Sequence, residues 1–340
     1  MSLTIALDAM GGDHGPSVTV PASLAALEQH PELHLILVGD EGELEAELAR
    51  CAVRDSRRIT IRHATQRVEM HELPSQALRN KKDSSMRVAI NLVKERAAQA
   101  CVSAGNTGAL MATARYVLKT LPGVERPAII STLPTMRGHT RMLDLGANVD
   151  SSVDQLFQFA VMGSVLASAV DNIEHPTVGL LNIGQEEIKG NERVKETARL
   201  LAASDIINYA GFVEGNDIYE GTVDVVVCDG FIGNVALKSS EGVARMISHY
   251  LREEFTRSPL ARLRALMARP ALLAFRDKVD PRRYNGATLI GLQGIVVKSH
   301  GSADQLSFSH AITEAVCEVI KDVPQRIGMQ LESLLIGRQA

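Results

Sequence analysis

Five short turns in the sequence combine glycine with a polar side chain that can hydrogen-bond to an anion. Glycine lets an anion approach the main chain closely, and the N–H groups at the start of a helix have no partner within that helix. Because the combination recurs, the turns predict a ligand of the size of phosphate with many donors around it. The five turns are Gly11-Gly12-Asp13, Ser103-Ala104-Gly105-Asn106-Thr107, Gly146-Ala147-Asn148, Lys189-Gly190-Asn191 and Gly230-Phe231-Ile232-Gly233-Asn234.

Two side chains in these turns, Lys189 and Asn234, have types suited to the chemistry of a charged ligand. The ammonium group of Lys189 could pair with the anion, or the lysine could be solvated and paired with Glu186 or Glu192. Asn234 could act as a helix cap, or it could donate its amide N–H to an oxyanion that forms during a reaction. The residues alone leave both alternatives open.

Proton donors and nucleophiles are sparse in the sequence. His14 and His300 lie in glycine turns and are candidate proton donors, although a single histidine in a turn is more often a surface residue. The four cysteines lie far apart without a CxxC pair. The first turn lacks GxGxxG, and neither GxxxxGK[ST] nor GxSxG occurs. The sequence therefore predicts no metal site, no cofactor and no disulfide, and it offers no obvious covalent nucleophile.

The elements that position these turns are short apolar runs of strand type, most of which lead through a glycine turn into a helical pattern. One such pattern predicts a helix over Glu41–Arg50. Alternation of this kind predicts parallel strands with helices on both faces, which is a Rossmann-like, three-layer α/β/α sandwich formed by one domain over residues 1–340. In such sheets the turns at the carboxyl ends of the strands line the ligand crevice. The strand-like runs are 4–7, 34–38, 59–61, 100–103, 141–145, 178–183 and 223–228.

Residues 251–283 break this alternation. The segment has nine basic and four acidic residues, so its charge is +5 within a chain of net charge −4. Ser258 and Pro259 predict the start of a helix, and Pro270 should end it. An amphipathic basic helix suits an anionic membrane surface, an acidic carrier protein or a contact between subunits. The apolar residues predicted on its contact face, with the arginines beside them, are Leu260, Leu263, Leu266, Met267, Arg262 and Arg264.

The composition of the chain argues against several classes of protein. The 340 residues are 45% hydrophobic and 22% charged, which excludes a wholly disordered chain. The net charge of −4 and the lack of tryptophan argue against a nucleic-acid partner. The first thirteen residues lack the basic region of a signal peptide, and we noted no run of about 18 uncharged apolar residues, so we expect a cytoplasmic protein.

Together, these motifs resemble the bacterial phosphate acyltransferase family of phospholipid synthesis. The matching stretches run in family order over roughly positions 4 to 320. A departure is Asn285-Gly286-Ala287-Thr288, where the family more often has Gly-Gly-Ala-Pro. The stretches that carry the resemblance are 8–13, 103–109, 144–148, 183–191, 229–234 and 298–302.

The resemblance implies a homodimer with the fold of phosphotransacetylases and isopropylmalate-type dehydrogenases. It implies reversible transfer of a long-chain acyl group from acyl carrier protein to inorganic phosphate. The acyl phosphate would then pass to a membrane-embedded glycerol-3-phosphate acyltransferase, which places this protein peripherally on the inner face of the cell membrane.

For this chemistry, we expect Lys189 and the turn Gly105-Asn106-Thr107 to bind phosphate. Asn234 would donate to the thioester oxygen, and His14 or His300 would protonate the leaving thiol. A phosphate dianion can attack a thioester with little help from a base, so the protein must mainly supply positioning. The other predicted phosphate-binding residues are Asp8, Gly11, Gly12, Asp13, Ser103, Asn148, Gly190, Asn191, Asp229, Gly230 and Gly233.

Two alternatives come from other classes of protein. A dehydrogenase on the same fold would need clustered aspartates for a divalent metal, and the nearest pair is Asp8 and Asp13. A membrane scaffold without enzymatic activity would use residues 258–276 and would have no need of several anion-binding turns.

Overall fold

The computed structural model describes residues 3–51 and 57–337. Within these residues eleven strands form one sheet. The strands are β1 (Leu3–Asp8), β2 (Leu33–Gly39), β3 (Ile59–His63), β4 (Ala100–Ser103), β5 (Ala128–Thr135), β6 (Gly138–Leu143), β7 (Thr177–Leu181), β8 (Asn208–Val213), β9 (Val225–Val227), β10 (Ala287–Ile290) and β11 (Ile295–Lys298). Their order across the sheet is β3-β2-β1-β4-β11-β10-β5-β6-β9-β7-β8.

Helices cover both faces of this sheet, so the predicted three-layer sandwich is confirmed. One layer contains α1, α2, α11, α6, α7 and α12, and the other contains α3, α4, α5, α8 and the start of α9. The helices are α1 (Pro16–Gln29), α2 (Glu41–Arg50), α3 (Pro74–Asn80), α4 (Ser85–Lys94), α5 (Thr107–Leu118), α6 (Val153–Asp171), α7 (Glu192–Ala202), α8 (Asp217–Glu220), α9 (Gly230–Thr256), α10 (Pro259–Val279), α11 (Gln305–Lys321) and α12 (Val323–Gly337), and a 3₁₀ turn spans Pro281–Tyr284.

The sheet consists of two parallel halves that run in opposite directions. Strands β3, β2, β1, β4 and β11 are parallel to one another, and so are β6, β9, β7 and β8. Between them, β10 pairs antiparallel with β11 and β5, and β5 pairs antiparallel with β6. The first half therefore ends at one edge of the sheet, which we call the upper edge, and the second half ends at the opposite, lower edge.

Alternating side chains fill a core on each face. In β1, Ile5 and Leu7 pack against α1 and α11, whereas Ala6 between them packs against α4. All three are fully buried. Strands covered on both faces lose the polar alternation of a surface strand, which is why they appear in the sequence as continuous apolar runs.

The helix α6 is the one described helix whose length and apolar composition would suit a membrane span. Most of it is buried inside the protein, where Phe159, Val161 and Leu166 have no exposed surface. Because α6 packs against the sheet and against α7 and α12, it is a core helix.

The helices α9 and α10 form a hairpin that projects from the sandwich. Along α9, Gly230 and Gly233 are the buried residues, and α10 packs mainly against α9. The predicted excursion at 251–283 therefore begins earlier, within α9. The prediction that Pro270 ends a helix is wrong, because α10 continues through it. Proline removes the hydrogen bond to the Leu266 carbonyl, but that residue is exposed, so water can satisfy the carbonyl.

Candidate functional site

Three glycine turns meet at the upper edge, after the adjacent strands β1, β4 and β11. Gly12 has a φ of +87°, and a Cβ atom there would lie 2.9 Å from both the Ala104 side chain and the Gly301 carbonyl oxygen. The N–H of Asp13 donates to the same Gly301 carbonyl at 2.8 Å. Glycine is therefore required at position 12 both by its conformation and by the closeness of the other turns.

A buried carboxylate organises these turns. Asp8, at the end of β1, accepts hydrogen bonds from the hydroxyls of Ser85 at 2.5 Å and Ser103 at 2.6 Å. The Ser103 oxygen in turn accepts the N–H of Gly105 at 3.0 Å. Burial raises the pKa of Asp8, although these hydroxyls oppose the shift. Asp8 and Ser103, both predicted to bind phosphate, thus hold the main chain of the site in place.

Lys298 is a candidate site residue that the sequence analysis did not single out. It ends β11 and is 7% exposed, and its ammonium group donates to the carbonyls of Ala104 at 3.3 Å and of Ser299. Burial lowers the pKa of Lys298 to about 8, while Asp8 opposes the shift. The signal for it was the stretch 298–302, which this lysine begins. The three turns thus surround a buried cation.

Asn285 fixes the turn after β11. Its side chain donates to the Ser299 hydroxyl and the Ser307 carbonyl, both at 2.7 Å, and accepts the N–H of His300 at 3.0 Å. The resemblance led us to expect glycine at this position. The asparagine therefore adds three hydrogen bonds that glycine could not make.

The two candidate proton donors both lie on these upper-edge turns. His300 is exposed, and its Nδ1 lies 2.9 Å from the Ser302 hydroxyl. Burial of part of the ring and the charge of Lys238 lower the pKa of His300. His14 is also exposed, directly after Asp13.

Asn106 and Thr107 complete this upper-edge group. Asn106 caps α5 by accepting the N–H of Ala109 at 3.0 Å, and its amide group donates to the carbonyls of Met70 and Glu72. Its side chain therefore holds a loop. Thr107 is exposed in the first turn of α5, where main-chain N–H groups lack intrahelical partners.

A second group lies at the lower edge, around the buried Asp144. The carboxylate accepts the N–H groups of Gly146, Ala147 and Asn148 at 2.7–3.2 Å, and that of Ile129 at 3.0 Å. Asp144 has no exposed surface. We expected the turn at 146–148 to offer these donors to an external anion, and the structure corrects this expectation because the protein's own carboxylate occupies them.

The start of α9 packs tightly on the lower-edge group. Asp229 caps the helix by accepting the N–H of Ile232 at 3.0 Å. A Cβ atom on Gly233 would overlap the Asp144 carbonyl oxygen, and one on Gly230 would overlap the Asn148 carbonyl oxygen. Asp229, Gly230 and Gly233 therefore set the position of α9.

α9 links the two groups. The exposed Asn234 lies beside Gly146 at the lower edge. Lys238, one helical turn further along the same face, is close enough to Lys298 and His300 to lower their pKa values. This face of α9 thus runs from the lower-edge group toward the upper-edge turns.

The turn at 189–191 lies at the lower edge, apart from the upper-edge group. Lys189 is exposed after β7, and Asn191 caps α7 by accepting the N–H of Val194 at 2.9 Å. Gly190, with a φ of +87°, packs against the Asn182 side chain. Since β7 is six strands from β4 and ends at the opposite edge, the structure does not bring Lys189 together with the turn 105–107. The reversal of strand direction causes this separation.

Two buried thiols lie beside the groups described above, since Cys228 donates to the Asp144 carbonyl at 3.6 Å and Cys101 lies on β4 next to β1. Burial raises the pKa values of Cys101 and Cys228 well above the usual range, so neither is a ready nucleophile. His30 and His34 are four residues apart in the sequence, but His30 Nε2 lies 3.2 Å from the Thr313 hydroxyl. Among the residues that the structure describes, no three His, Cys, Asp or Glu side chains are grouped as metal ligands.

The protein has the fold of the phosphotransacetylases. EutD phosphotransacetylase from Staphylococcus aureus superposes with a TM-score of 0.62, at 14% identity over 94% of each chain. A phosphotransacetylase from Streptococcus pyogenes gives 0.63, at 15% identity over 94% of each chain. This part of the predicted fold is confirmed.

The sequence comparisons identify the family. The family model "Fatty acid synthesis protein" matches residues 3–326. Phosphate acyltransferases from Nitrosococcus oceani and Methylococcus capsulatus are 66% and 62% identical over 335 residues, which is 98% of this chain and of theirs. The chain belongs to the phosphate acyltransferase family, and the resemblance drawn from the motifs is confirmed.

Proposed function

We propose that the protein transfers a long-chain acyl group from the thioester of acyl carrier protein to inorganic phosphate. Membership of the family supports acyl transfer to phosphate. The observation that carries the proposal is the buried ammonium of Lys298 at the junction of three glycine turns. Such a site suits a small, doubly charged anion better than a bulky one.

Phosphate would bind between Lys298 and the first turn of α5. Its dianion, which predominates above a pH of about 6, is attracted by the ammonium group and by the N–H groups of Thr107 and Gly108. This arrangement holds the nucleophile without a strong base. Positioning of this kind is potentially worth about 7–11 kcal/mol in other reactions.

The reaction balances without a cofactor. An oxygen of hydrogen phosphate attacks the thioester carbonyl, the carbon–sulfur bond breaks, and the proton of the phosphate passes to the departing sulfur. His300, on the same turn as Lys298, would relay this proton because its lowered pKa favours the neutral imidazole. His14 is the alternative relay, and the products are an acyl phosphate and a free thiol.

Asn234 would stabilise the oxyanion that forms on the thioester carbonyl. It is exposed one helical turn before Lys238 and lies beside Gly146, so the thioester would extend from the upper-edge turns along α9 to reach it. Loss of an oxyanion donor in other enzymes costs about 2.7–4 kcal/mol. We retain Asn234 in this role from the sequence analysis.

We further propose that the protein is a cytoplasmic homodimer on the inner face of the membrane, where it hands its product to a glycerol-3-phosphate acyltransferase. The support is the hairpin of α9 and α10, because Leu260, Leu263, Leu266 and Met267 are 55–78% exposed beside Arg262 and Arg264. Apolar residues of α9, including Met246 and Tyr250, are also exposed. These exposed apolar residues of α9 and α10 offer contact surface for a second subunit and for lipid.

One experiment tests the reaction. Long-chain acyl carrier protein is incubated with the enzyme, with and without phosphate, and acyl phosphate is trapped with hydroxylamine while free thiol is measured. We expect both products only with phosphate, and acyl-CoA in parallel reports on donor selectivity. Thiol release without phosphate, or a covalent acyl-protein adduct in phosphate-free buffer, would contradict the proposal. A scaffold would give no thiol, and a dehydrogenase would instead change nicotinamide absorbance.

A further inference from the structure

The outer faces of α4 and α5 carry cations around one aromatic ring. The Arg87 guanidinium carbon and the Lys119 ammonium nitrogen each lie 5.0 Å from the centre of the Tyr116 ring. Tyr116 is 56% exposed, and Arg115 and Lys119 are exposed beside it. We call Arg87, Arg115, Tyr116 and Lys119 the α4–α5 patch.

The fold leaves the charges of this patch unneutralised. Within the part of the chain that the structure describes, Arg87, Arg115 and Lys119 form no ion pair with a carboxylate. The ring orders the head groups of Arg87 and Lys119 but does not cancel their charge. Ordered cations of one sign attract an acidic partner and accelerate its association.

A shallow, open hollow adjoins the ring, lined by residues of the last turns of α5. Its walls combine tyrosine with arginine, the residue types that most often anchor a protein interface. The lining residues are Ala112, Arg115, Tyr116, Lys119 and Thr120. The hollow can therefore receive side chains of a partner while the cations meet its carboxylates.

The α4–α5 patch lies at the opposite end of α5 from the upper-edge group. Thr107 begins α5 in the upper-edge group, and Tyr116 follows nine residues later, which is about 13 Å along the helix. Gly108 and Ala112 lie between them on the same face of α5, where Pro74 of α3 packs against Gly108. A carrier protein presents its thioester on a tether, so its body must dock at a distance from the reacting atoms.

We propose that the α4–α5 patch docks the acidic carrier protein that delivers the acyl thioester. This inference rests on the proposed function, because it assumes a protein-borne donor. The carboxylates of the carrier pair with Arg87, Arg115 and Lys119, and the tether runs along α5 toward Thr107. The patch supplies binding and takes no part in the reaction.

Two charge reversals test the docking surface. Arg115→Glu alters the patch, and Arg199→Glu is the matched control, an exposed arginine in the last turn of α7 near the far end of the sheet. Binding of acyl carrier protein is measured by fluorescence anisotropy at low and physiological salt. We expect Arg115→Glu to weaken binding at least about tenfold and to reduce its salt dependence, and Arg199→Glu to change binding less than about twofold. The value of kcat/KM for the acyl carrier should fall equally, with kcat unchanged.

The outcomes separate docking from chemistry. Equal effects of the two reversals, or no binding by the wild type, would overturn the docking proposal. It would also be overturned if Arg115→Glu lost binding to anionic vesicles but kept the carrier, since the patch would then be a lipid surface. Carrier binding that depends on Arg115 without acyl phosphate formation would support docking and refute the proposed function, and the reverse result would refute docking alone.

Discussion

Lys298 holds its charge where water cannot solvate it. Burial lowers its pKa to about 8 from an ordinary value of 10.5, although Asp8 favours the charged form. Two main-chain carbonyls accept its hydrogen bonds. Under the proposed function, a phosphate dianion beside the ammonium group would stabilise the charge further, and the protonated lysine would be the form of the free enzyme that binds phosphate.

A pH profile tests this role. Because the pKa is lowered, Lys298 loses its charge as the pH rises through about 8, and kcat/KM for phosphate should fall there. Lys298→Met should lower kcat/KM at least about tenfold at a pH near 7 and abolish the fall. Lys298→Arg should extend activity to higher pH, because a guanidinium group stays protonated. Initial rates of phosphate-dependent thiol release, measured between pH of about 7 and 9.5, provide the profile.

The same assay distinguishes Lys298 from Lys189. Lys189→Met removes an exposed lysine that also lies in a glycine turn, but at the lower edge. We expect near wild-type kinetics from it. A raised phosphate KM in Lys189→Met, with normal kinetics in Lys298→Met, would assign phosphate to the other turn and contradict our placement.

At the scale of elements, packing at the start of α9 sets the position of the helix that carries Asn234 and Lys238. Asp229 caps the helix, and Gly233 lets the first turn lie directly on the Asp144 carbonyl. Further along α9, Gly242 has no atom within 4 Å of where a Cβ atom would lie. Packing therefore requires glycine at position 233, whereas no described neighbour requires it at position 242.

Replacing each glycine by alanine should have opposite effects on the free energy of unfolding. Gly233→Ala forces α9 away from Asp144 and should cost about 1–3 kcal/mol or more. Gly242→Ala should stabilise the protein by about 0.5–1 kcal/mol, because alanine loses less conformational freedom in a helix. Urea unfolding followed by circular dichroism measures both. A wild-type midpoint for Gly233→Ala would show that α9 does not press on Asp144 as described.

At the scale of the molecule, the hairpin of α9 and α10 projects beyond the sandwich from its upper edge. The chain returns from α10 through the 3₁₀ turn to Asn285, which hydrogen-bonds to the turn after β11. The hairpin is therefore joined to the upper-edge group by only the few residues between α10 and Asn285.

A charge on the apolar row of the hairpin should abolish membrane contact. Leu263→Glu is expected to lose co-sedimentation with vesicles of anionic phospholipid, because an exposed apolar residue would become charged and repelled. Ile320→Glu makes the same kind of change at an exposed position of α11 and should retain vesicle binding. Gel filtration must show an unchanged oligomeric state, and dissociation of a dimer by Leu263→Glu would make Leu263 a subunit contact.

Much of the local structure could be read from the sequence. The helix over Glu41–Arg50 was predicted with its observed bounds, and Asp40 caps it through the N–H of Glu43. Caps and apolar periods are short-range properties, so sequence spacing carries them. Local sequence cannot, however, identify the residues of the site. Asparagine and aspartate suit both helix capping and ligand binding, so residue type did not show that the side chains of Asn106, Asn191 and Asp229 are helix caps.

The sequence alone therefore determined the family, the class of fold and the glycine turns as the places of interest, because these follow from motifs and local patterning. The tertiary structure alone decided which turns meet. Strand direction depends on the pairing of β10 and β5 between distant segments, and this pairing sends the turns after β4 and β7 to opposite edges. The tertiary structure also decided that the Asp144 carboxylate accepts the N–H groups of the turn 146–148, and that Lys298 is buried. Burial and hydrogen-bond partners arise only when distant residues pack together.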